Sequence, residues 1–214
     1  MNDADELGGH ATGQAMSTPP IPIVEAILKK LTNSLPKNLT YHAVAHTEEV
    51  LADVITLGTH DNLSQRELHL LQVAAAFHDA GFLWGRAGHE ERGALYATEE
   101  MRSDGSYAEE EIDQVAQLIR DTKLVQQSGE LRQIPTSTLA GYLLDADLGN
   151  LGRSDFFDKL ELERQEVPVA SEEEFQRRVL NILSSKQWYT AAGRMLREPI
   201  WRQNLEIVRN RLEK

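Results

Sequence analysis

The chain of 214 residues contains no cysteine and few aromatic residues, prolines or glycines. Without cysteine there can be no disulfide and no thiolate zinc site, so any metal site must use His, Asp, Glu or water. Aromatic residues make up only 6% of the chain, and the frequent Leu and Ala favour helices over a β-sandwich. No apolar run reaches the roughly 18 residues that a membrane span needs, so the sequence predicts no such span.

Positive charge is also scarce, because 22 basic residues face 34 acidic ones and the net charge is −12. Such a chain repels phosphate polymers and anionic membranes, so we expect neither as a partner. A small phosphorylated substrate remains compatible, since a metal ion or a few local cations can hold it. The N-terminus has Asp and Glu where a signal peptide would have Lys or Arg, and we expect a soluble cytoplasmic protein.

The apolar pattern predicts an all-α fold with a single multi-helix domain over residues 21–214. Residues 1–20 are polar and glycine-rich, and we expect them to be a disordered tail. From residue 21 onwards the apolar residues recur with helical spacing, and no strand-like alternation exceeds four residues. Ser64, with Glu67 three residues on, predicts a capping box. Two separate helices are expected over residues 189–197 and 199–212, with Pro199 in a first helical position.

The most apolar segment, "LHLLQVAAAFHDAG", ends in the ionisable pair His78 and Asp79. An isolated ionised Asp at the end of a buried helix would cost several kcal/mol, so a cation or a metal ion should compensate it. Adjacent helical residues project about 100° apart, and both can meet one ion only beside the helix end. The alternative is a surface His beside a capping or salt-bridged Asp, so the pair needs support from other residues.

Two further segments carry candidate ligands. In "YHAVAHTEEV", His42 and His46 are four residues apart and are expected to share a helix face. In "LLDADLGNLG", Asp145 and Asp147 interrupt an apolar helix; they project about 200° apart, so they cannot both face one ion. The alternatives are histidines that hydrogen-bond near a helix start, and a solvated acidic pair at a helix end.

Taken together, these segments, in the order His46, His78–Asp79 and Asp147, resemble the HD-domain metal-dependent phosphohydrolases. The resemblance is closest to the subgroup of predicted metal-dependent HD phosphohydrolases, and it also includes "HEERGALYATEEM", "LIRDTK" and "YTAAGRMLRE", so that it covers residues 23–212. It implies a helical bundle with one central metal ion held by His46, His78, Asp79 and Asp147. Asp145 is the fallback ligand or the partner of a ligand histidine. Such ligands suit Mn, Fe, Co, Ni or Zn better than Mg.

The resemblance also implies a function, the hydrolysis of a small phosphate ester by metal-activated water, with a nucleotide as the expected substrate. Asp79 would orient the water, and His89 or Glu90 would protonate the leaving group or add an outer ligand. An ordinary helix N-terminus explains His89 and Glu90 equally well. Arg120 and Lys123, one turn apart, are the candidates for binding the phosphate, and a solvated helix face is their alternative explanation.

Other functions stay open at this point. The substrate could be a cyclic nucleotide or dinucleotide, or the chain could be a non-catalytic HD module that binds a nucleotide. A di-iron oxygenase would need two more well-placed histidines, and only His42 and His89 are near enough in sequence. A homodimer is compatible with the sequence.

Overall fold

Helices form nearly all of the structure in a computed structural model, which describes residues 20–168 and 171–212. The all-α prediction is confirmed, whereas the disorder expected for residues 1–20 falls, except for Pro20, outside the described residues. The helices are α1 (Pro22–Ser34), α2 (Val44–His60), α3 (Gln65–Phe77), α4 (His89–Asp104), α5 (Glu109–Asp121), α6 (Thr138–Asp147), α7 (Phe156–Glu166), α8 (Glu172–Ser185) and α9 (Ala191–Leu212). Short 3-10 helices follow α3 and α6, at Ala80–Trp84 and Gly149–Gly152.

The central helix α3 begins and ends near the places that the sequence predicts. The Ser64 hydroxyl accepts a hydrogen bond from the Glu67 backbone N–H, and the Glu67 carboxylate accepts one from the Ser64 N–H at 2.8 Å, so the capping box is present. Every residue from Leu70 to Phe77 is buried, which makes α3 the middle of the bundle. The sequence pattern predicts that the helix continues to Ala80, but α3 ends at Phe77 because the chain turns into a 3-10 helix after Asp79.

One local prediction is wrong, and one short element is not predicted. Pro199 does not separate two helices but lies inside α9, although it removes one helical hydrogen bond. Packing anchors α9 on both sides of it: Arg197 pairs with Asp53 at 2.6 Å, and Asn204 donates to two backbone carbonyls after α6 at 3.0 and 3.1 Å. A hairpin of two three-residue strands, which the sequence pattern does not predict, lies between α5 and α6. Its strands are β1 (Val125–Gln127) and β2 (Glu130–Arg132).

The buried apolar side chains form two clusters. The first core lies mainly among α1–α6 and includes Ile27, Leu31, Val54, Leu57, Leu71, Val73, Ala97, Val115, Ile119 and Leu143. The second core lies among α7, α8, α9 and the 3-10 helix after α6, and consists of Leu151, Phe156, Leu160, Phe175, Val179, Ile182, Leu183, Leu205 and Val208. A cavity of about 350 Å³ has residues of the second core in its wall and extends to the end of α6. Among the described residues, no helix combines the length and the apolar character needed to cross a membrane.

Candidate metal centre

Three helices of the first core bring four candidate ligands together. His46 lies in the first turn of α2, His78 is the C-cap of α3 and Asp79 follows it, while Asp147 is the last residue of α6. Asp79 leaves the helical conformation, with φ −100° and ψ 2°, so its side chain can meet that of His78 beside the helix end. We call these four residues the His/Asp cluster.

The donor atoms of the His/Asp cluster alternate between nitrogen and oxygen at short separations. His46 Nε2 lies 3.2 Å from Asp147 Oδ1 and 3.7 Å from Asp79 Oδ2, and His78 Nε2 lies 3.6 Å and 3.3 Å from the same two oxygens. Ligand atoms at about 2.1 Å from one ion are separated by roughly 3.0–3.4 Å, so these spacings fit a shared centre. His46, His78 and Asp79 form a buried group that could hold a metal ion.

The bonding around His78 leaves an unused lone pair inside this cluster. His78 Nδ1 lies 2.7 Å from the Ala75 carbonyl oxygen, which can only accept, so Nδ1 is the ring nitrogen that carries hydrogen in the neutral form. His78 Nε2 and Asp79 Oδ2 are buried and make no hydrogen bond with the described residues. Buried polar atoms almost always have partners, so this pair of atoms marks a place for a bound ion.

The charges in the cluster also call for a cation. Burial disfavours the imidazolium, but the Asp79 and Asp147 carboxylates outweigh it and raise the pKa of His78 to about 9. Without another cation, a proton on the ring therefore balances the carboxylates. A divalent ion would replace that proton with a stronger charge at the same atoms.

Two residues outside the cluster contact its carboxylates. Gln133 Nε2 donates to Asp147 Oδ2 at 2.6 Å and to the Thr122 carbonyl oxygen at 2.7 Å, which leaves Asp147 Oδ1 facing the imidazoles. His89 Nε2 lies 3.4 Å from Asp79 Oδ1. Gly81 permits this approach, because a β-carbon there would lie 1.9 Å from the His89 carbonyl oxygen.

The structure places three of the predicted catalytic and phosphate-binding residues in the cavity wall and one outside it. His89, Glu90 and Lys123 line the cavity together with Asp79 and Asp147. Lys123 makes no ion pair within the described chain. Arg120 is different: it donates to both carboxylate oxygens of Glu91, at 2.7 and 2.9 Å, and it is not part of the cavity wall. A neighbouring helix therefore supplies a partner for Arg120 away from the cavity, and phosphate binding by Arg120 stays a prediction.

Two other expectations are corrected by the contacts. His42 lies before α2 rather than on its face, and its Nδ1 is 2.5 Å from Glu166 Oε1. Asp145 is neither a ligand nor a partner of a ligand histidine. It is fully buried, 3.0 Å from Lys186 Nζ, and its other oxygen accepts from the Thr190 N–H at 2.9 Å. The side chains of Asp145 and Asp147 thus point to nearly opposite sides of α6, as expected for two helical residues about 200° apart.

Two residues of the site escape detection from the sequence. Gln133 lies between β2 and α6, in a segment without helical pattern, and nothing in the sequence marks its bond to Asp147. Arg178 lines the cavity from α8, far from the motif segments. Their roles depend on contacts between distant segments of the chain.

No model of a protein family, no curated protein and no solved structure matches the chain.

Proposed function

We propose that this protein is a metal-dependent phosphohydrolase that cleaves a small phosphate ester. His46, His78, Asp79 and Asp147 would bind one divalent transition metal ion, chosen among Mn, Fe, Co, Ni and Zn by the nitrogen and oxygen donors. One observation carries the proposal: two of the donor atoms, His78 Nε2 and Asp79 Oδ2, are buried without partners beside a cavity. The resemblance of the motif segments to HD-domain phosphohydrolases supports the same assignment.

The residues around the cluster suit hydrolysis of a phosphate ester. A bound divalent ion supplies Lewis acidity, which lowers the pKa of water and stabilises charge on phosphoryl oxygens. Asp79 Oδ1 can accept a hydrogen bond from the attacking water. His89, whose Nδ1 lies 3.0 Å from the Arg86 carbonyl oxygen, and Glu90 line the cavity and can deliver a proton to the leaving oxygen.

Positive side chains are available for the phosphate. Lys123 and Arg178 line the cavity, and each has a carboxylate in its electrostatic neighbourhood, Glu91 for Lys123 and the cavity residue Glu163 for Arg178. Among the described residues neither cation is held in a direct ion pair, so both can contribute to binding an anionic ligand. A nucleotide is the substrate that the family resemblance suggests, and the cations alone do not select it.

Turnover tests the proposal directly. Wild-type protein loaded separately with Mn, Co, Ni or Zn would be assayed on p-nitrophenyl phosphate, bis-p-nitrophenyl phosphate and nucleoside monophosphates. We expect the wild type to hydrolyse at least one of these esters. Asp79→Asn should lower kcat/KM by more than about 100-fold, because it replaces a metal ligand, and replacing residues that only hydrogen-bond to a ligand costs less. Asp104→Asn, on the exposed end of α4, is the matched control. Nucleotide binding without turnover on any substrate would contradict the enzymatic function.

The same assay separates the two predicted phosphate-binding residues. Lys123→Ala should raise KM about tenfold, since it removes a charge-assisted contact. Arg120→Ala should leave KM within about twofold, because Glu91 already holds that guanidinium. The reverse order would show that phosphate binds on the Arg120 side.

A further inference from the structure

The cavity continues beyond the His/Asp cluster into a compartment with apolar walls. Its near end has the carboxylates of Asp79 and Asp147 and the ring of His89, whereas its far wall comes from α7, α8, β2 and the 3-10 helix after α6. The apolar side chains that line the far wall include Leu131, Leu151, Phe156, Leu160, Val179 and Ile182. The charged residues of the same wall are Glu163 and Arg178, whose charges interact with each other. We call this far part the apolar compartment.

The protein's own side chains do not fill the apolar compartment. Most of its residues belong to the second core, yet they also border a cavity of about 350 Å³. Empty space beside apolar side chains destabilises a fold, because those side chains lose contacts and are not compensated by water. A compartment of this kind is therefore suited to an apolar ligand group.

The apolar side chains of the far wall favour a hydrocarbon group over a nucleobase. Proteins that read a base use hydrogen bonds to its edge or an aromatic face on which it stacks. Leu160, Val179 and Ile182 offer neither. Phe156 is aromatic but fully buried, and its ring packs edge-on against Phe157 at 4.9 Å.

Two buried polar atoms without partners belong to residues that border the cavity. Gln133 uses its amide N–H groups on Asp147 and Thr122, so its Oε1 is a buried acceptor without a partner, as is Asn150 Oδ1. Both residues line the cavity. These acceptors suit a water molecule or the hydroxyl of the released alcohol, and they disfavour a second anionic group.

We propose that the substrate is the phosphate ester of an apolar alcohol, with its hydrocarbon group in the apolar compartment and its phosphate at the His/Asp cluster. This inference rests on the proposed function and narrows its substrate class. Lys123 lies next to Leu124 on the cavity wall, and Arg178 is next to Val179. The same wall can therefore hold an anionic group and a hydrocarbon chain.

Calorimetry on the zinc-loaded protein tests the inference with ligands that cannot be hydrolysed. The probes are n-alkylphosphonates from ethyl to octyl, n-alkanols of the same lengths and a nucleoside 5′-methylenephosphonate. We expect the affinity to rise on the order of threefold per methylene in both series. We also expect octylphosphonate to bind more tightly than the nucleoside phosphonate. A flat series, or tighter binding of the nucleoside, would overturn the inference.

The design separates this inference from the proposed function. The slope with chain length reports the apolar compartment, and the difference between phosphonate and alkanol of one length reports the phosphate site. A steep slope with no such difference would contradict the phosphohydrolase and overturn the phosphate part of the inference. Leu131→Gln, at a half-buried position of the wall, should reduce the slope, whereas Ile134→Gln, which is 42% exposed and outside the wall, should preserve it.

Discussion

Helix α6 carries two carboxylates, the buried Asp145 and the half-buried Asp147, that have opposite environments. The Asp145 oxygens are 3.0 Å from Lys186 Nζ, 3.1 Å from the Tyr189 N–H nitrogen and 2.9 Å from both the Thr190 nitrogen and hydroxyl. We call these four residues the Asp145 network. The chain itself therefore supplies both the cation that compensates Asp145 and the hydrogen bonds that its carboxylate accepts.

The His/Asp cluster, on the other face of α6, is incomplete by comparison. Only Asp147 Oδ2 has an amide partner, from Gln133, while His78 Nε2 and Asp79 Oδ2 have none. The difference shows that burial of charge does not identify a functional site, because both regions bury carboxylates. Unsatisfied bonding capacity is what separates the His/Asp cluster from the Asp145 network, since the fold supplies partners for a carboxylate two residues away.

The largest expected effect is on the free energy of unfolding, and it should differ between the Asp145 network and the His/Asp cluster. Lys186→Ala leaves Asp145 buried without its cation and should lower the free energy of unfolding by about 3–5 kcal/mol. Asp79→Ala in metal-free protein removes a carboxylate that has few partners, so it should change that free energy by about 1 kcal/mol or less. Urea unfolding of both metal-free variants measures the difference. Equal losses would remove the distinction between the regions.

The next effect concerns the outer support of Asp147. Gln133→Leu removes the amide that binds Asp147 Oδ2, and it should weaken metal binding about 10- to 100-fold. Competition with a chromophoric chelator measures the affinity. Gln126→Leu, on exposed β1, is the matched control and should have no effect. An unchanged affinity in Gln133→Leu would show that this bond does not position the ligand.

A smaller effect comes from Glu166, a second carboxylate that the chain satisfies. It accepts from His42 Nδ1 at 2.5 Å and from two backbone N–H groups at 2.8 and 2.9 Å, and despite burial these contacts lower its pKa to about 2. A lowered pKa stabilises the fold above the ordinary value of 4.5, and this gain is lost as the pH falls towards 2.

Glu166→Gln should therefore reduce the free energy of unfolding at pH 7 by about 2 kcal/mol. The difference from the wild type should shrink as the pH falls from 4.5 towards 2, which unfolding curves across that range would measure. Asp158→Asn, at an exposed position of the same helix, is the control. A difference that stays constant with pH would contradict the ionic role of Glu166.

The sequence predicts those features that depend on neighbouring residues. The capping box of Ser64 and Glu67, the central helix before His78 and the opposite directions of Asp145 and Asp147 all follow from spacing along one helix. Those predictions hold because helical geometry fixes the angles between side chains.

Features that depend on distant residues were not predictable in the same way. The partner of Asp145 is 41 residues away, in Lys186, and the partner of Arg120 is 29 residues away, in Glu91. Pro199 is predicted to begin a helix because proline favours the first helical position. This prediction fails because contacts with other elements keep α9 continuous through Pro199. The motif segments and the family resemblance that they carry therefore indicate the ligand candidates, but they do not indicate Gln133, which donates a hydrogen bond to one of them.

The central claim is that the His/Asp cluster binds a divalent transition metal ion. The most direct test measures metal per chain by plasma mass spectrometry, on protein purified without chelators or a histidine tag, for the wild type, Asp79→Ala and the control Asp155→Ala. We predict about one Mn, Fe, Co, Ni or Zn per chain in the wild type and the control, and its loss in Asp79→Ala. Metal-free wild type after reconstitution, or equal metal in all three proteins, would contradict the claim.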